Sequence, residues 1–346
     1  MKAATAIILA AGRGTRMNSA KPTALHEIAG RPVIDWMLTA LERCTEERPV
    51  IVDGPERQIA AHVGERARVV VQQRPEGEAD ALRAARDALE AAGDRPVFVV
   101  YGCIPLADES LFYDMLADAA ECGASKAILY LDEEITEAVD EKTGDVPLGM
   151  FCAPGSAWLA GLTCSEKATE LNDCFDRGVK AVRSTAALTE GRNKQGTLCV
   201  PICNRMLLSG CEADAQEMLR ERHMQNGVTM RNPESVYIGA EVEIGRDTVL
   251  WPNVVLTGRT VIGEGCVIKP GCQLNDTRVG NGCTLTSVVA DRAVVGSNVK
   301  AGPFVNLRPD TRIADGCKIG DFVEVKNSNV GEGTKLPHLS YIGDAD

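Results

Sequence analysis

The 346-residue sequence predicts two joined architectures, an α/β Rossmann-like half followed by a parallel β-helix. Three observations carry this. An apolar run over residues 4–9 feeds directly into a Gly-rich loop over 10–16. Apolar β runs then alternate with amphipathic helical stretches through the first half, which means a sheet of parallel strands covered on both faces. From residue 234 the apolar positions recur every six residues. A six-residue apolar period with turn glycines marks a parallel β-helix, because an ordinary half-buried sheet needs period two.

In the first half, strands are expected over residues 4–9, 49–52, 69–71, 97–101 and 126–131, and helices over 33–43, 79–91 and 109–120. Ligands of such sheets sit beyond the carboxyl ends of the strands. The loop after Leu9 and the turn Tyr101-Gly102-Cys103 both fall there. Gly12 and Gly14 allow close backbone approach and positive φ. The loop can then turn its N–H groups onto a phosphate, with the Thr15 hydroxyl and the Arg16 cation beside them. Leu9, Ala10, Ala11, Gly12, Gly14, Thr15 and Arg16 are therefore a candidate phosphate cradle. On local grounds plain turn chemistry explains a Gly-rich turn equally well; the full string over 9–17 is more specific.

Residues 214–225 read as a helix stopped at Asn226-Gly227. The expected domains are thus 1–213, a linker helix within 214–233, and the β-helix over 234–346. Ile238, Ile244, Leu250, Leu256, Ile262 and Ile268 keep the six-residue spacing. The register slips through 270–294 and resumes at Val295, Ala301, Leu307, Ile313, Ile319 and Val325, with a last phase at Val330, Leu336 and Ile342. A solenoid needs its last coil covered, and this sequence stops within a repeat at Asp346. A cap from another element, or a shortened version of a longer parent, is expected.

The bulk numbers exclude several classes. A net charge of −12 argues against nucleic acid, which calls for a basic patch. No apolar run approaches the ~20 residues of a membrane span. The sequence opens straight into a strand with no signal peptide, so a cytoplasmic protein is expected. Thirteen cysteines are scattered without a C-x-x-C pair or zinc-type spacing; reduced, buried side chains are the expectation. His26 reads as structural, His62 and His223 as surface groups on helices, and Trp36, Trp158 and Trp251 as core packing.

With both halves in view, the sequence resembles the bacterial bifunctional enzymes that make UDP-N-acetylglucosamine. That family joins an N-terminal uridylyltransferase of Rossmann-like nucleotidyltransferase fold to a C-terminal left-handed β-helix acetyltransferase. The resemblance spans nearly the whole chain and is tightest at 9–17, at 19–26 with Gly30, and from 238 to 345, with close strings at 303–309, 320–326 and 337–345. It implies a nucleotide or sugar phosphate as ligand and a homotrimer formed through the β-helix.

The departures from the family fall on its uridylyltransferase chemistry. The family's first loop carries a phosphate-holding lysine directly after a proline; here Thr23 follows Pro22, and Lys21 precedes it. The family holds Mg²⁺ with the Asp of a Tyr-Gly-Asp turn and with an Asn just before an Asn-Arg pair. Here Cys103 follows Tyr101-Gly102, and Cys203 precedes Asn204-Arg205. Mg²⁺ takes hard oxygen ligands and thiolates are soft, so neither cysteine is expected to hold it. The family's Gly-Thr-Gly-His, which contacts base and sugar, reads Gly77-Glu78-Ala79-Asp80, while Gln72 matches the base-reading glutamine. The family's Glu-x-Asn-Thr-Gly reads Asp145-Val146-Pro147-Leu148-Gly149, and the stretch between Leu131 and Asp145 is too short for the family's sugar-binding segment. Two independent losses of preorganised charge cost on the order of 10⁴ in rate. The expectation is a retained fold that binds nucleotide with uridylyl transfer lost; a working uridylyltransferase with rearranged ligands is the alternative.

In the β-helix the resemblance makes His338 the base that deprotonates the sugar amine for attack on acetyl-CoA. It makes Arg308 and Lys326 the grip on sugar phosphate, and it places Tyr341 near the amine. A neutral imidazole suits such a base near pH 7. The family's acetyl-CoA contacts lie in coils beyond those seen here, so the resemblance assigns no residue of this chain to that cofactor. Acyl transfer is then expected to be weak or absent unless a second subunit supplies the missing coils.

Overall fold

In the computed structural model the first apolar run becomes the strand Thr5–Leu9, at the centre of a mixed sheet. The structure describes residues 2–12, 14–74, 76–130, 145–164, 171, 182–183, 188–189 and 199–346. The chain divides into two units, Met1–Ile28 with Pro32–Glu212, and Ala29–Arg31 with Ala213–Asp346.

The sheet order is Leu188–Thr189, Ser125–Tyr130, Asp145–Pro154, Pro96–Tyr101, Thr5–Leu9, Val50–Asp53, Arg68–Val71. All neighbours are parallel except Asp145–Pro154, which is antiparallel to both of its partners. This corrects the all-parallel expectation. The extra strand carries two prolines and a glycine, and such residues read locally as turn rather than strand. Adjacent residues of Thr5–Leu9 point to opposite faces. Ile8 packs with Leu38, Phe98 and Phe112 on one side, and Ile7 with Val52, Leu82 and Trp158 on the other.

Helices Val33–Cys44 and Glu109–Cys122 cover one face. Asp108 caps the second by accepting from Leu111 N at 3.0 Å, as an N-cap carboxylate should. The single helix expected over 79–91 is two, Glu78–Ala84 and Arg86–Ala92. The break falls at Ala85, a strong helix former by propensity. Ala85 is completely buried in the core, and no local signal marks the turn. The helix expected from 214 starts at Arg205, because Asn204 caps it through Leu207 N at 2.8 Å. Among the described residues no helix is long and apolar enough to cross a membrane.

From Thr229 the chain forms three parallel sheets of seven, seven and six short strands. Equivalent residues of successive coils pair directly, and inward side chains stack: Ile238 on Leu256, Leu274, Ala290, Leu307, Val325 and Ile342. The slip over 270–294 has a simple origin. The buried positions step by five residues, instead of six, from Leu274 to Val279, from Leu285 to Ala290 and from Ala290 to Val295. A residue is lost from a turn while the stack is preserved. One corner is satisfied by side chains on three of the coils: the Cys266 thiol donates to Gly280 O at 3.1 Å, Cys283 to Gly296 O at 3.0 Å and Cys317 to Gly331 O at 3.1 Å. Gln216 docks the preceding helix onto the first coil, donating to Ile238 O and accepting from Ile238 N, both at 2.9 Å.

Two single-residue expectations are corrected. His223 is buried, its helix face being turned inward, and burial pushes its pKa down to about 4. Trp251 is exposed at the surface, under the Arg231 guanidinium at 5.7 Å from the ring centroid, rather than in the core.

Candidate functional site

Leu9 and Tyr101 are register partners at the carboxyl ends of adjacent strands. The segments that follow them are therefore neighbours, tied by Gly102 N donating to Leu9 O at 2.8 Å. The Gly-rich loop turns through Gly14 at φ 57°, where any Cβ would collide with the Thr23 hydroxyl. A 3₁₀ turn, Thr15–Met17, follows. Arg205 buttresses it, donating from Nε to Met17 O at 3.2 Å and from Nη1 to His26 Nδ1 at 3.3 Å. Burial first, then the Arg205 charge, lowers the His26 pKa, which suits a neutral ring that accepts from Arg205.

These segments enclose a cavity of about 410 Å³, within the range of small-ligand sites. Leu9, Ala10, Ala11, Gly12, Gly14 and Arg16 form one wall; Gln72, Gly77 and Glu78 a second; Tyr101, Gly102 and Cys103 a third. Thr15, expected with them, does not line it. Thr23, Ala24, Ala81, Pro201, Ile202 and Cys203 complete the lining. Tyr101 is held over Gly149, whose φ of 68° and missing Cβ leave room for the ring.

Cys103 and Cys203 share this cavity. Ile202 N donates to Cys103 O at 2.9 Å and brings the second cysteine alongside the first. Enclosure by protein pushes the Cys103 thiol up to about 12, and Cys203 adds to the shift. Glu78 accepts from Leu171 N at 3.4 Å. Lys21 does not reach the cavity and instead pairs with Glu27 at 3.3 Å. The segment between Leu131 and Asp145 lies outside the described residues.

In the β-helix, Arg308 and Lys326 follow the paired residues Leu307 and Val325 and stack on successive coils, with Gly343 next above Lys326. Strands of one sheet lie about 4.8 Å apart, so the two cations form one patch. Each already has a carboxylate: Arg308 meets Glu324 at 3.0 Å and Lys326 meets Asp344 at 3.4 Å. The Asn327 amide and then Lys326 hold Asp344 below the usual carboxylate range. Tyr341 pairs with Glu324, and its ring lies over the bare Cα of Gly343. His338 is exposed on the turn three residues earlier, on the same coil.

Comparisons with known proteins show the family of both halves. Residues 6–180 match the model of the MobA-like NTP transferase domain, and residues 292–327 that of the bacterial transferase hexapeptide (six repeats). The bifunctional protein GlmU of Heliobacterium modesticaldum is 33% identical over 99% of this chain and 80% of its own length. The GlmU of Carboxydothermus hydrogenoformans is 34% identical over 98% and 81%, and that of Streptomyces avermitilis 33% identical over 100% and 78%. The chain belongs to the GlmU family.

The three-sided solenoid is accordingly the left-handed hexapeptide β-helix of a GlmU-type protein, following a Rossmann-like nucleotidyltransferase domain in the sequence. The GlmU family's Mg²⁺ is not matched by the donors here. Enclosure keeps Cys103 a neutral thiol at physiological pH, a soft donor where Mg²⁺ takes hard oxygens. Sequence reasoning missed Thr23, Ala24, Ala81, Pro201 and Ile202 as lining, since apolar and hydroxyl walls carry no motif. It also missed that Gln72 Nε2 donates to Asp80 Oδ2 at 2.8 Å and to Gly77 O at 3.1 Å.

Proposed function

We propose that this GlmU-family chain binds a nucleotide in the cavity beyond Leu9 and Tyr101 and does not carry out metal-assisted uridylyl transfer there. The observation that carries this reading is the placement of Cys103 and Cys203 together in the cavity, with the Cys103 thiol pushed up to about 12. Phosphoryl transfer is catalysed by positioning and by cations that neutralise the developing charge. Thiols are soft donors and supply no hard oxygen to recruit Mg²⁺. The backbone at Gly12 and Gly14 and the Arg16 cation still suit a phosphate chain. The stacked Arg308 and Lys326, with Tyr341 and His338 beside them, form a second site for a sugar phosphate, and the β-helix supports assembly as a homotrimer. Reduced cysteines fit a cytoplasmic setting.

Calorimetric titration of UTP with Mg²⁺ or EDTA, alongside a pyrophosphate-release assay with N-acetylglucosamine-1-phosphate, tests this. Binding indifferent to metal, with no pyrophosphate release, is expected. Metal-dependent binding with turnover would establish a working uridylyltransferase instead.

A further inference from the structure

We propose that Asp80 is a positioning residue that fixes which atom Gln72 offers to the base, so that the cavity selects nucleotides whose base carries a ring N–H, as uracil does and cytosine does not. The inference rests on the nucleotide-binding reading and adds a determinant of specificity to it.

Gln72 follows the strand Arg68–Val71, and its backbone N–H is tied to Asp53 O at 2.9 Å. Its side chain is buried but lines the cavity. The two atoms that face the end of its carboxamide are Asp80 Oδ2 at 2.8 Å and Gly77 O at 3.1 Å. Both are acceptors, one of them a carboxylate. Only the NH₂ group can satisfy them, so the amide orientation is dictated by chemistry. Turned the other way, Oε1 would face a carboxylate and a carbonyl with no hydrogen between them. The NH₂ group therefore spends both hydrogens inside the protein. No donor among the described residues reaches Oε1, and that oxygen is not sealed from solvent. A carbonyl oxygen is what Gln72 presents to the cavity.

An acceptor at this point reads a donor. The N3–H of uracil meets it; the N3 lone pair of cytosine repels it. An unclamped glutamine could rotate its amide and accommodate either base. Asp80 prevents that rotation, because it stands on the first turn of the helix Glu78–Ala84, beside the glutamine. Nothing in the local sequence pattern announces the bond, which joins residues eight apart across a loop.

The test is the ratio of UTP to CTP affinity, measured by calorimetry on the whole chain for wild type, D80A and D80N. An unpaired or opposed polar group costs enough to give wild type at least about a tenfold preference for UTP. D80A leaves only the Gly77 carbonyl and should bring the two affinities within about threefold, mainly by tightening CTP. D80N keeps an acceptor oxygen for the Gln72 amide and should retain most of the preference. A merely structural role for Asp80 would weaken both nucleotides together and leave the ratio unchanged. Wild type that binds CTP as tightly as UTP, or D80A with the wild-type ratio, overturns the proposal. Failure of wild type to bind any nucleotide overturns the nucleotide-binding reading and this inference with it.

Discussion

Cys203 lines the same cavity as Cys103, its neighbour Ile202 donating from N to Cys103 O at 2.9 Å, and both share that cavity with the Gly-rich loop. The Cys103 thiol, pushed up to about 12 by its enclosure, is ionised to only about one part in 10⁴ at pH 8. Thiolate is the reactive form. Iodoacetamide at pH 8 should therefore alkylate Cys103 at least about a hundredfold more slowly than free cysteine, read by mass spectrometry of its peptide. Labelling at the free-thiol rate would mean that a thiolate is available there and that a soft metal is a better candidate than none.

Carboxylates at the same two positions should change the dependence on metal. For wild type, EDTA should leave the UTP dissociation constant within about twofold. The double substitution Cys103→Asp with Cys203→Asp places hard oxygens beside the phosphates and should make UTP binding at least about tenfold tighter with Mg²⁺ than with EDTA. Metal-dependent UTP binding by the wild type would refute the argument from donor chemistry.

Gly149→Ala should damage fold and site together. At φ 68° an alanine is strained, and its Cβ would fall within the Tyr101 ring. Strain and overpacking of this kind cost about 2–4 kcal/mol. Tm should fall by several degrees, and nucleotide binding should weaken in the fraction that stays folded, since Tyr101 lines the cavity. An unchanged Tm would show that the ring moves aside freely.

How much of this was legible in the sequence differs between the two halves. In the β-helix, each inward residue from Ile238 to Ile342 meets its equivalent in the next coil, so a local period encodes the whole tertiary arrangement. The first half encodes less. That the segments after Leu9 and Tyr101 both lie at carboxyl ends of strands was readable because both end apolar runs, while their direct register was not. The antiparallel strand Asp145–Pro154 was not, because its stability comes from two neighbours and not from its own residues. The same holds for the site. Cys103 and Cys203 stood out as departures from a family pattern, whereas the Gln72–Asp80 bond exists only once the loop between them has closed. His223 misled for a related reason: a helix alone does not say which face a neighbouring coil will cover.

Asp344 competes with any anion for Lys326, to which it is bonded at 3.4 Å. Held below the usual carboxylate range by Asn327 and Lys326, it remains ionised throughout the neutral range. Asp344→Asn removes that competitor, and exposed ion pairs are weak, so affinity for N-acetylglucosamine-1-phosphate should rise about two- to fivefold. Lys326→Ala should lower it about tenfold. Opposite signs in these two variants, by calorimetry, would tie the stacked cations to phosphate; a fall in both would assign Asp344 to ligand binding itself.

His223 should make the protein acid-sensitive within a defined window. Burial, then the Arg222 charge, pushes its pKa in the fold down to about 4, against about 6.5 in an unfolded chain. Between those values the unfolded chain takes up a proton that the folded chain refuses, so acid favours unfolding. The stability that the neutral ring allows is fully present above about pH 6.5, falls as pH drops, and is gone near pH 4; the size of the shift limits the loss to at most about 3 kcal/mol. Its Nε2 also lacks a partner among the described residues, so His223→Leu removes an unpaired polar atom as well as a titrating one. Tm measured at pH 7 and pH 4.5 should fall less in the variant than in wild type. Because His26 is present in both proteins, its own acid response cancels in that difference. Parallel pH slopes would show that His223 accepts its proton without leaving the fold.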